Sequence, residues 1–282
     1  QTKDKRIMKK NLVISFSGGE TSAYLCKWLL DNKSNDYNMI FIFANTGDEE
    51  EETLNFVNNC STEWNINIIW VEALVNHKER ISSKHKIVNF HTASRNREPF
   101  IEVIKKYGIP NQNFLHCNRE LKLNPINSYI KSIGWEKYET AIGIRIDEID
   151  RVNINRKRFN LIYPLIELKP TTKQEVNNWW ENQNFRLNLK SYYTNCRTCW
   201  KKSDVVLAKI YKENPYYFEF NKQMELIYGK DKYVFFRRGR STEKLIEDLQ
   251  KINKLPIDKH KDSNFQTNLF NESCDIYSLC GK

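Results

Sequence analysis

A short stretch after the first apolar run of the chain carries residue types that bind anions. Its two adjacent glycines allow backbone angles at which successive N–H groups point to one anion. The segment after them has helical spacing, and a helix that begins there would add its positive N-terminal end. No lysine follows as in the Lys-containing phosphate loop, and an ordinary strand-to-helix turn is the alternative. The predicted phosphate ligands are Ser15, Ser17, Gly18, Gly19, Thr21 and Ser22.

The cysteines form a second candidate site. Cys196 and Cys199 have the Cys-x-x-Cys spacing, and Cys117 lies in an earlier segment. Three thiolates that converge from two segments suit an iron–sulfur cluster or zinc, and free thiols or a structural zinc are the alternative. Cys26 and Cys60 lie on apolar helical faces, where a core position is expected.

Strand and helix patterns alternate along the first part of the chain. Short apolar runs predict strands at residues 11–17, 38–47, 66–74 and 138–145, and helical spacing predicts helices at 21–32, 51–64, 99–108 and 123–134. Later segments at 171–184, 204–215 and 241–252 are helical as well. This alternation predicts an α/β fold with a doubly wound, mostly parallel sheet. We expect an α/β domain over residues 1–165 and a mainly helical C-terminal region over 166–282.

Three polar segments follow predicted strands and would therefore meet at one edge of the sheet. They are SFSGGETS, FANTGDEE and GIRIDE. Ligands of doubly wound sheets bind at the carboxyl ends of the strands. The aromatic residues Trp179, Trp180, Tyr192 and Tyr193 are candidates for base stacking, although helical spacing more often indicates packing for the two tryptophans.

A family resemblance rests on five motifs in order. They are SFSGGETS, FANTGDEEEETLNFV, YGIPNQNFLHCNRELKLNPINSYI, GIRIDEIDR with YPLIELKPTTKQEV, and NCRTC. Together they resemble the PP-loop ATP pyrophosphatase superfamily, in the branch of phosphoadenosine phosphosulfate (PAPS) reductases and of DNA phosphorothioation-type enzymes. The resemblance implies an adenine nucleotide alpha hydrolase-like fold that binds ATP, or PAPS or its unphosphorylated analogue APS, with Mg²⁺.

The resemblance also implies roles for individual residues. Asn45, Thr46 and Gly47 would join the nucleotide ligands, and Lys122, Arg145 and Arg151, with Arg119 as a further candidate, would neutralise phosphate charge. Lys122 and Arg145 are the expected catalytic cations. Thr21 stands where the family usually has Asp, and Asp48 or one of Glu49 to Glu52 would then have to hold the metal ion. A solvated helix start is the alternative for this acidic run.

The cysteines depart from the family pattern in one place. Iron–sulfur reductases of the family carry a cysteine pair before the long gap, whereas this chain has His116 and Cys117. We predict a [4Fe-4S] cluster on Cys117, Cys196, Cys199 and Cys280, with zinc as the alternative metal and His116 or Cys274 as alternative fourth ligands. Cys280 is also the candidate tail nucleophile of a sulfonucleotide reductase.

Charge points to anionic partners. The formal net charge is +10, and basic residues gather at 151–159, 196–202 and 235–240, which favours a polyphosphate or a polynucleotide such as DNA or tRNA. No apolar run is long enough for a membrane span, and we expect a cytoplasmic protein with reduced cysteines. A sulfur-donor protein is a further candidate partner. The oligomeric state, and whether the natural chain begins at Gln1 or Met8, are left open.

Three functions follow from these features. The first is an enzyme that cleaves ATP at the α-phosphate and adenylates a substrate for sulfur transfer, with nucleic acid as one acceptor. The second is a sulfonucleotide reductase with a C-terminal cysteine nucleophile. The third is a non-catalytic nucleotide-binding or interaction protein.

Overall fold

A six-stranded sheet forms the centre of the molecule in the computed structural model, which describes residues 9–193, 196–229 and 233–252. The strand order is β4-β3-β2-β1-β5-β6. All neighbours are parallel except β3 and β4, which are antiparallel. The strands are β1 (Lys10–Ser15), β2 (Tyr37–Asn45), β3 (Ile68–Leu74), β4 (Lys84–Val88), β5 (Glu139–Ala141) and β6 (Leu161–Ile162).

The helices follow the predicted alternation in the first half of the chain and then continue without strands. They are α1 (Glu20–Lys33), α2 (Glu51–Glu63), α3 (Glu98–Tyr107), α4 (His116–Asn118), α5 (Asn124–Ser132), α6 (Pro164–Glu167), α7 (Lys173–Glu181), α8 (Asp204–Glu213), α9 (Glu219–Tyr228) and α10 (Thr242–Leu249). A π-helical turn, Arg119–Leu123, joins α4 to α5. Short 3₁₀ turns lie at Ile146–Arg151, Ser191–Tyr193, Pro215–Phe218 and Arg237–Gly239.

Both faces of the sheet are covered, as expected for a doubly wound fold. Alternate side chains of β1 point to opposite faces, so that Leu12 and Ile14 join a cluster with α1, α2 and α7, while Val13 joins a cluster with α5. A further cluster contains side chains of α3, α8, α9 and α10. The predicted α/β class and the helical C-terminal part are therefore confirmed.

The boundary at residue 165 stays a prediction, although the core bears on it. Val176, Trp180 and Leu187 lie beyond that boundary, yet they belong to the same buried cluster as Leu12 of β1. The two tryptophans of α7 pack edge to face with a centroid separation of 4.7 Å. Trp180 donates its indole hydrogen bond to the carbonyl oxygen of Glu20. Both tryptophans therefore pack against other side chains, as their helical spacing indicates.

Among the described residues, no helix has the length and apolarity that crossing a bilayer requires.

Candidate functional site

The carboxyl end of β1 lies at the point where the strand order reverses. The chain runs from β1 outward through β2 and β3 and then returns to β5, which pairs with the other side of β1. Loops that leave neighbouring strands in opposite directions open a crevice, and this is where doubly wound sheets bind ligands. The loop after β1 and the loop after β5 border that crevice.

Gly18 and Ser22 give the loop after β1 its shape. Gly18 has a φ of +83°, and a Cβ there would lie 2.6 Å from Cγ2 of Thr53, so only glycine fits without strain. The Ser22 hydroxyl accepts hydrogen bonds from the backbone N–H and the hydroxyl of Ser17 and donates to the carbonyl oxygen of Gly19. Ser22 thus links the loop to the first turn of α1, and its hydroxyl group is occupied by these hydrogen bonds.

A pocket of about 240 Å³ opens above this loop. Four cationic side chains reach it from three other segments, and the N-terminus of α1 adds its partial positive charge. The pocket is lined by Ser17, Gly18, Gly19, Thr21 and Ser22, by the cations Lys122, Arg145, Arg151 and Lys173, and by the acidic residues Glu20, Glu49 and Glu148. We call it the phosphate pocket because this set suits an anion with several charges.

Arg145 is held in place by three groups. Its Nη1 donates to the Thr21 hydroxyl over 2.8 Å, its Nε to Asp147 over 3.0 Å, and its side chain also pairs with Glu148 over 3.2 Å. Thr21 stands where the family usually has Asp, and in this structure its hydroxyl orients Arg145. Arg151 pairs with the same Glu148. Asp147 and Glu148 thus orient the two arginines.

The acidic turn after β2 differs from the sequence-based expectation. Asp48, Glu49 and Glu50 are buried, so a solvated helix start describes only Glu51 and Glu52. Asp48 pairs with Arg97, and Glu50 accepts from Arg197 and from the Tyr217 hydroxyl. These carboxylates are engaged by arginine and tyrosine.

Glu49 is the acidic residue of that turn that lines the phosphate pocket. Its two carboxylate oxygens accept hydrogen bonds from the backbone N–H and the hydroxyl of Thr46, over 2.9 Å and 2.8 Å. Burial raises the pKa of Glu49, and the charge of Lys122 works in the opposite direction.

The three cysteines of the second candidate site line one cavity of about 40 Å³, together with Thr46, Asp48 and Lys122. We call it the thiol cavity. The Thr46 hydroxyl lies 3.9 Å from the Cys196 sulfur. Burial and the charge of Asp48 raise the pKa of the Cys196 thiol well above its usual value. Lys122 lines both the thiol cavity and the phosphate pocket, so the two sites adjoin at this side chain.

The residues between the two cysteines fix the Cys-x-x-Cys loop from two sides. Arg197 donates to the Glu49 carbonyl oxygen as well as to Glu50, and its guanidinium lies over the Tyr217 ring. Thr198 donates to the Asn221 side chain of α9 over 2.6 Å. Lys202 follows the loop, and burial lowers its pKa to about 8. Anchors on both flanks hold the thiols beside the acidic turn.

A metal centre is not evident in this arrangement. Thiolates are the ligands that iron–sulfur clusters and zinc prefer, yet within residues 9–193, 196–229 and 233–252 no group of three cysteine, histidine or acidic side chains is placed to hold one ion. His116 does not line the thiol cavity; its Nε2 lies 3.0 Å from the Gly108 carbonyl oxygen. Cys274 and Cys280 lie outside the described residues. The [4Fe-4S], zinc and Mg²⁺ assignments therefore stay predictions.

Several other predicted residues lie outside the phosphate pocket. Asn45 donates to Glu72 and to the Ser94 carbonyl oxygen, and Gly47, with a φ of +80°, packs against the backbone of Arg97. Ser15 is the last residue of β1, and Arg119 pairs with Glu120. Cys26 and Cys60 are buried in the core, where burial raises the pKa of both thiols. Thr46 contacts the thiol cavity instead.

Lys173 and Gly143 are among the pocket residues that were missed from the sequence. Lys173 begins α7, whose capping box on Thr172 and Glu175 was visible as the TTKQE segment. Gly143, in the loop after β5, lies so close to Ser22 that a Cβ would be 3.2 Å from the Ser22 Cα. The capping signal fixed the helix start, whereas the approach of that start to the pocket depends on tertiary packing.

Comparison with known proteins agrees with this geometry. The phosphoadenosine phosphosulfate reductase domain model matches residues 11–188. The chain belongs to the PAPS reductase family. Its match ends before Cys196, so the family assignment covers the phosphate pocket and Cys117 but not the Cys-x-x-Cys loop.

Proteins similar to this chain occur in a phage and in an archaeon. The uncharacterized nin region protein ORF290 of Escherichia phage lambda is 33% identical over 68% of this chain and 66% of its own length. Two uncharacterized proteins of Methanocaldococcus jannaschii are 26% and 25% identical over 55% and 57% of this chain. The chain spans 29% and 35% of the length of those two archaeal proteins.

Proposed function

We propose that this chain binds ATP in the phosphate pocket, cleaves it at the α-phosphate and transfers AMP to an acceptor that then receives sulfur. The observation that carries the proposal is the pocket itself: Lys122, Arg145, Arg151 and Lys173 surround the Gly18 loop at the strand-order reversal. Its position beside the thiol cavity, with Lys122 common to both, supports sulfur chemistry on the activated acceptor.

The first step is a displacement at phosphorus. An acceptor oxygen attacks the α-phosphorus, a new oxygen–phosphorus bond forms, and the bond to the β,γ-pyrophosphate breaks. Negative charge builds on the departing pyrophosphate, and preformed cations stabilise such charge most effectively in a partly enclosed site. Arg145, fixed by Thr21 and Asp147, and Lys122 are the side chains we assign to this role.

The second step exchanges oxygen for sulfur. A sulfide sulfur attacks the carbon that bears the adenylated oxygen, a carbon–sulfur bond forms, and AMP leaves with the former acceptor oxygen. The thiol cavity is the place where such sulfur would be held, because its cysteines adjoin the pocket at Lys122. Lys202, beside the same loop, would balance thiolate charge.

A sulfonucleotide reductase is the second candidate, and the family match favours it. PAPS or APS would occupy the same pocket, and a thiolate would attack the sulfate sulfur and release the nucleotide phosphate. Sulfite is then freed by a second thiol that forms a disulfide with the first. Cys280 is the nucleophile that this candidate requires, and it lies outside the described residues.

One experiment separates the candidates. The full chain is incubated with ATP labelled at the α-phosphate, RNA or DNA as acceptor and sulfide, or with PAPS or APS and a dithiol, and AMP, pyrophosphate and sulfite are measured. We expect AMP and pyrophosphate in equal amounts from ATP, and a reduction of this yield at least tenfold in Arg145→Ala. Lys131→Ala, an exposed change on α5, serves as the control. Sulfite from PAPS without AMP from ATP would establish the reductase, and nucleotide binding without either product would leave the non-catalytic function.

The metal prediction is tested by measuring the metal content of the same protein. Anaerobic purification followed by iron and zinc analysis, with a visible absorption spectrum, reports whether a cluster or zinc is present. Because the full chain includes Cys274 and Cys280, this measurement covers all the predicted ligands. A metal-free chain that still produces AMP would confine the proposal to the phosphate pocket and the thiols.

A further inference from the structure

We propose that a turn beside the thiol cavity binds the phosphates of a single-stranded polynucleotide and thereby presents the acceptor to the cysteines. The turn, which we call the arginine turn, is Arg237–Gly239, and its two arginines are the proposed ligands. The inference rests on the proposed function only in that it names the acceptor class, because binding of the strand does not require ATP cleavage.

The arginine turn meets the segment that follows the Cys-x-x-Cys loop. Nη2 of Arg237 donates to the Lys201 carbonyl oxygen over 2.8 Å, and the guanidinium lies 5.9 Å from the centre of the Trp200 ring. The Lys201 ammonium lies 5.8 Å from the centre of the same ring. Trp200 lines the thiol cavity, and so does Phe235, two residues before the turn. Two basic segments that are distant in the sequence thus come together at this cavity.

Both flanks of the arginine turn are fixed by carboxylates. Glu225 accepts hydrogen bonds from the backbone N–H of Phe235 over 3.0 Å and from that of Thr242 over 2.8 Å. Arg240 pairs with Asp204 over 2.8 Å, and its Nε donates to the carbonyl oxygen of the first turn residue over 3.1 Å. Because the flanks are held, a ligand would bind a turn that is already ordered.

Arg238 lies at the tip of the turn in a left-handed backbone conformation. Its φ is +66°, in a region that glycine adopts readily and arginine does not. The residue is exposed, and its side chain makes no hydrogen bond or ion pair within the part of the chain that the structure describes. Side chains held in such conformations cluster at functional sites, and an exposed cation without a partner here indicates an anionic ligand.

The chemistry of the turn favours a polynucleotide among anions. Neither Arg237 nor Arg238 makes an ion pair with a carboxylate of the described residues, and the planar guanidinium fork matches phosphate oxygens. The half-buried ring of Trp200 adds a group on which bases stack. An acidic peptide offers charge without flat rings. Chemistry on a base requires it to leave the stack, and in a single strand this costs least.

The test measures binding of labelled single-stranded RNA and DNA of 20 nucleotides to the full chain by fluorescence anisotropy. Arg238→Gly removes the cation and suits the positive φ, so weaker binding would not reflect misfolding. Arg237→Gln with Arg238→Gly removes both proposed ligands. Lys131→Gln with Lys137→Gln is the charge-matched control, because both lysines are exposed and Lys137 precedes β5, at the amino ends of the parallel strands. The thiol cavity lies at their carboxyl ends.

We expect Arg238→Gly to bind at least threefold more weakly than the wild type without a lower unfolding temperature. The double arginine variant should bind at least tenfold more weakly than the control. Loss of two phosphate contacts should also lower the slope of log affinity against log salt concentration by about 1.4, as is usual for single strands. A bound strand should slow the reaction of Cys199 with a thiol reagent, because Cys199 and Trp200 line the same cavity.

Three results would overturn the inference. Equal weakening in the arginine and control variants would show that binding reflects overall charge. Competition by polyglutamate as effective as that by the unlabelled strand would make an acidic protein the better occupant. Unchanged reactivity of Cys199 in the bound chain would show that the strand does not reach the thiol cavity.

Binding of a fluorescent ATP analogue and release of AMP, recorded for every variant, keep the two proposals apart. Strand binding that depends on the arginine turn, in a chain that forms no AMP, would refute the proposed function and leave this inference standing. Formation of AMP by a chain that binds no strand would refute this inference alone.

Discussion

Gly18 is the residue of the phosphate loop with the least freedom to change. Its positive φ and the 2.6 Å approach of a Cβ to Thr53 oppose any side chain, whereas Gly19 has a φ of −102° and meets only the Ser17 hydroxyl at 3.8 Å. We expect Gly18→Ala to lower the free energy of unfolding by about 1–3 kcal/mol, and Gly19→Ala to change it by less than about 1 kcal/mol. Urea unfolding measures both. Equal effects would show that the loop relaxes at Gly18.

The hydrogen bond between Thr21 and Arg145 orients a cation of the phosphate pocket. Thr21→Val keeps the shape of the side chain and removes the acceptor of the 2.8 Å hydrogen bond from Arg145. Because hydrogen bonds to charged groups contribute about 1.5–3 kcal/mol and this one is half-buried, we expect ATP affinity to fall about fivefold. Thr21→Ser retains the hydroxyl and should retain the affinity. Isothermal titration calorimetry distinguishes the two, and equal affinities for Val and Ser would exclude Thr21 from orienting Arg145.

At the scale of elements, the turn between β2 and α2 connects the two sites. One side of the turn, Glu49, borders the phosphate pocket, and the other, Thr46 and Asp48, borders the thiol cavity. Glu50 holds Arg197 of the Cys-x-x-Cys loop and the Tyr217 hydroxyl. The position of the thiols relative to the nucleotide thus depends on buried side-chain pairs across one turn.

Substitution of Glu50 tests directly whether its contacts position the thiols. Removing one partner of a buried ion pair costs about 3–5 kcal/mol, and a neutral isostere that keeps a hydrogen bond costs less. We expect Glu50→Gln to lower the free energy of unfolding by about 2 kcal/mol and to raise the rate at which Cys196 reacts with a thiol reagent. Glu51→Gln is the matched control, because the Glu51–Arg95 pair lies at the surface and such pairs contribute about 1 kcal/mol or less. Unchanged Cys196 reactivity would contradict the positioning role.

At the scale of the whole molecule, the helical C-terminal part and the sheet share buried contacts. Arg97 lies over the Phe220 ring of α9 and pairs with Asp48 of the turn after β2. The Arg197 and Tyr217 contacts to Glu50 add to this interface. These contacts predict that the two parts unfold together, whatever boundary the sequence composition indicates.

Pulsed thiol labelling along a urea series tests this cooperativity. Cys26 is fully buried on the core-facing side of α1, and Cys199 lies in the Cys-x-x-Cys loop. We expect both to become reactive at the same midpoint, since unfolding of either part exposes the shared interface. Mass mapping of labelled peptides assigns each site. A lower midpoint for Cys199 would show that the C-terminal part unfolds by itself and would support the predicted boundary at residue 165.

Local signals were sufficient for most of the elements. Apolar runs predicted β1, β2 and β3, and the capping box at Thr172 predicted the start of α7. The antiparallel edge strand β4 was missed because its sequence, KHKIV, is charged and mostly exposed. The π-helical turn at Arg119–Leu123 was also missed, because no residue type marks such a turn.

The sequence by itself determined the fold class, the phosphate loop and the family, since strand and helix periodicity, adjacent glycines and ordered motifs are properties of neighbouring residues. Only the tertiary structure decided which distant residues meet. It placed Lys122 at both cavities, turned Asp48 and Glu50 inward to arginines, and assigned Thr21 to Arg145. These outcomes depend on pairs of residues far apart in the chain. A buried carboxylate is stable only when it is paired with a cation, and no local sequence pattern specifies which cation that is.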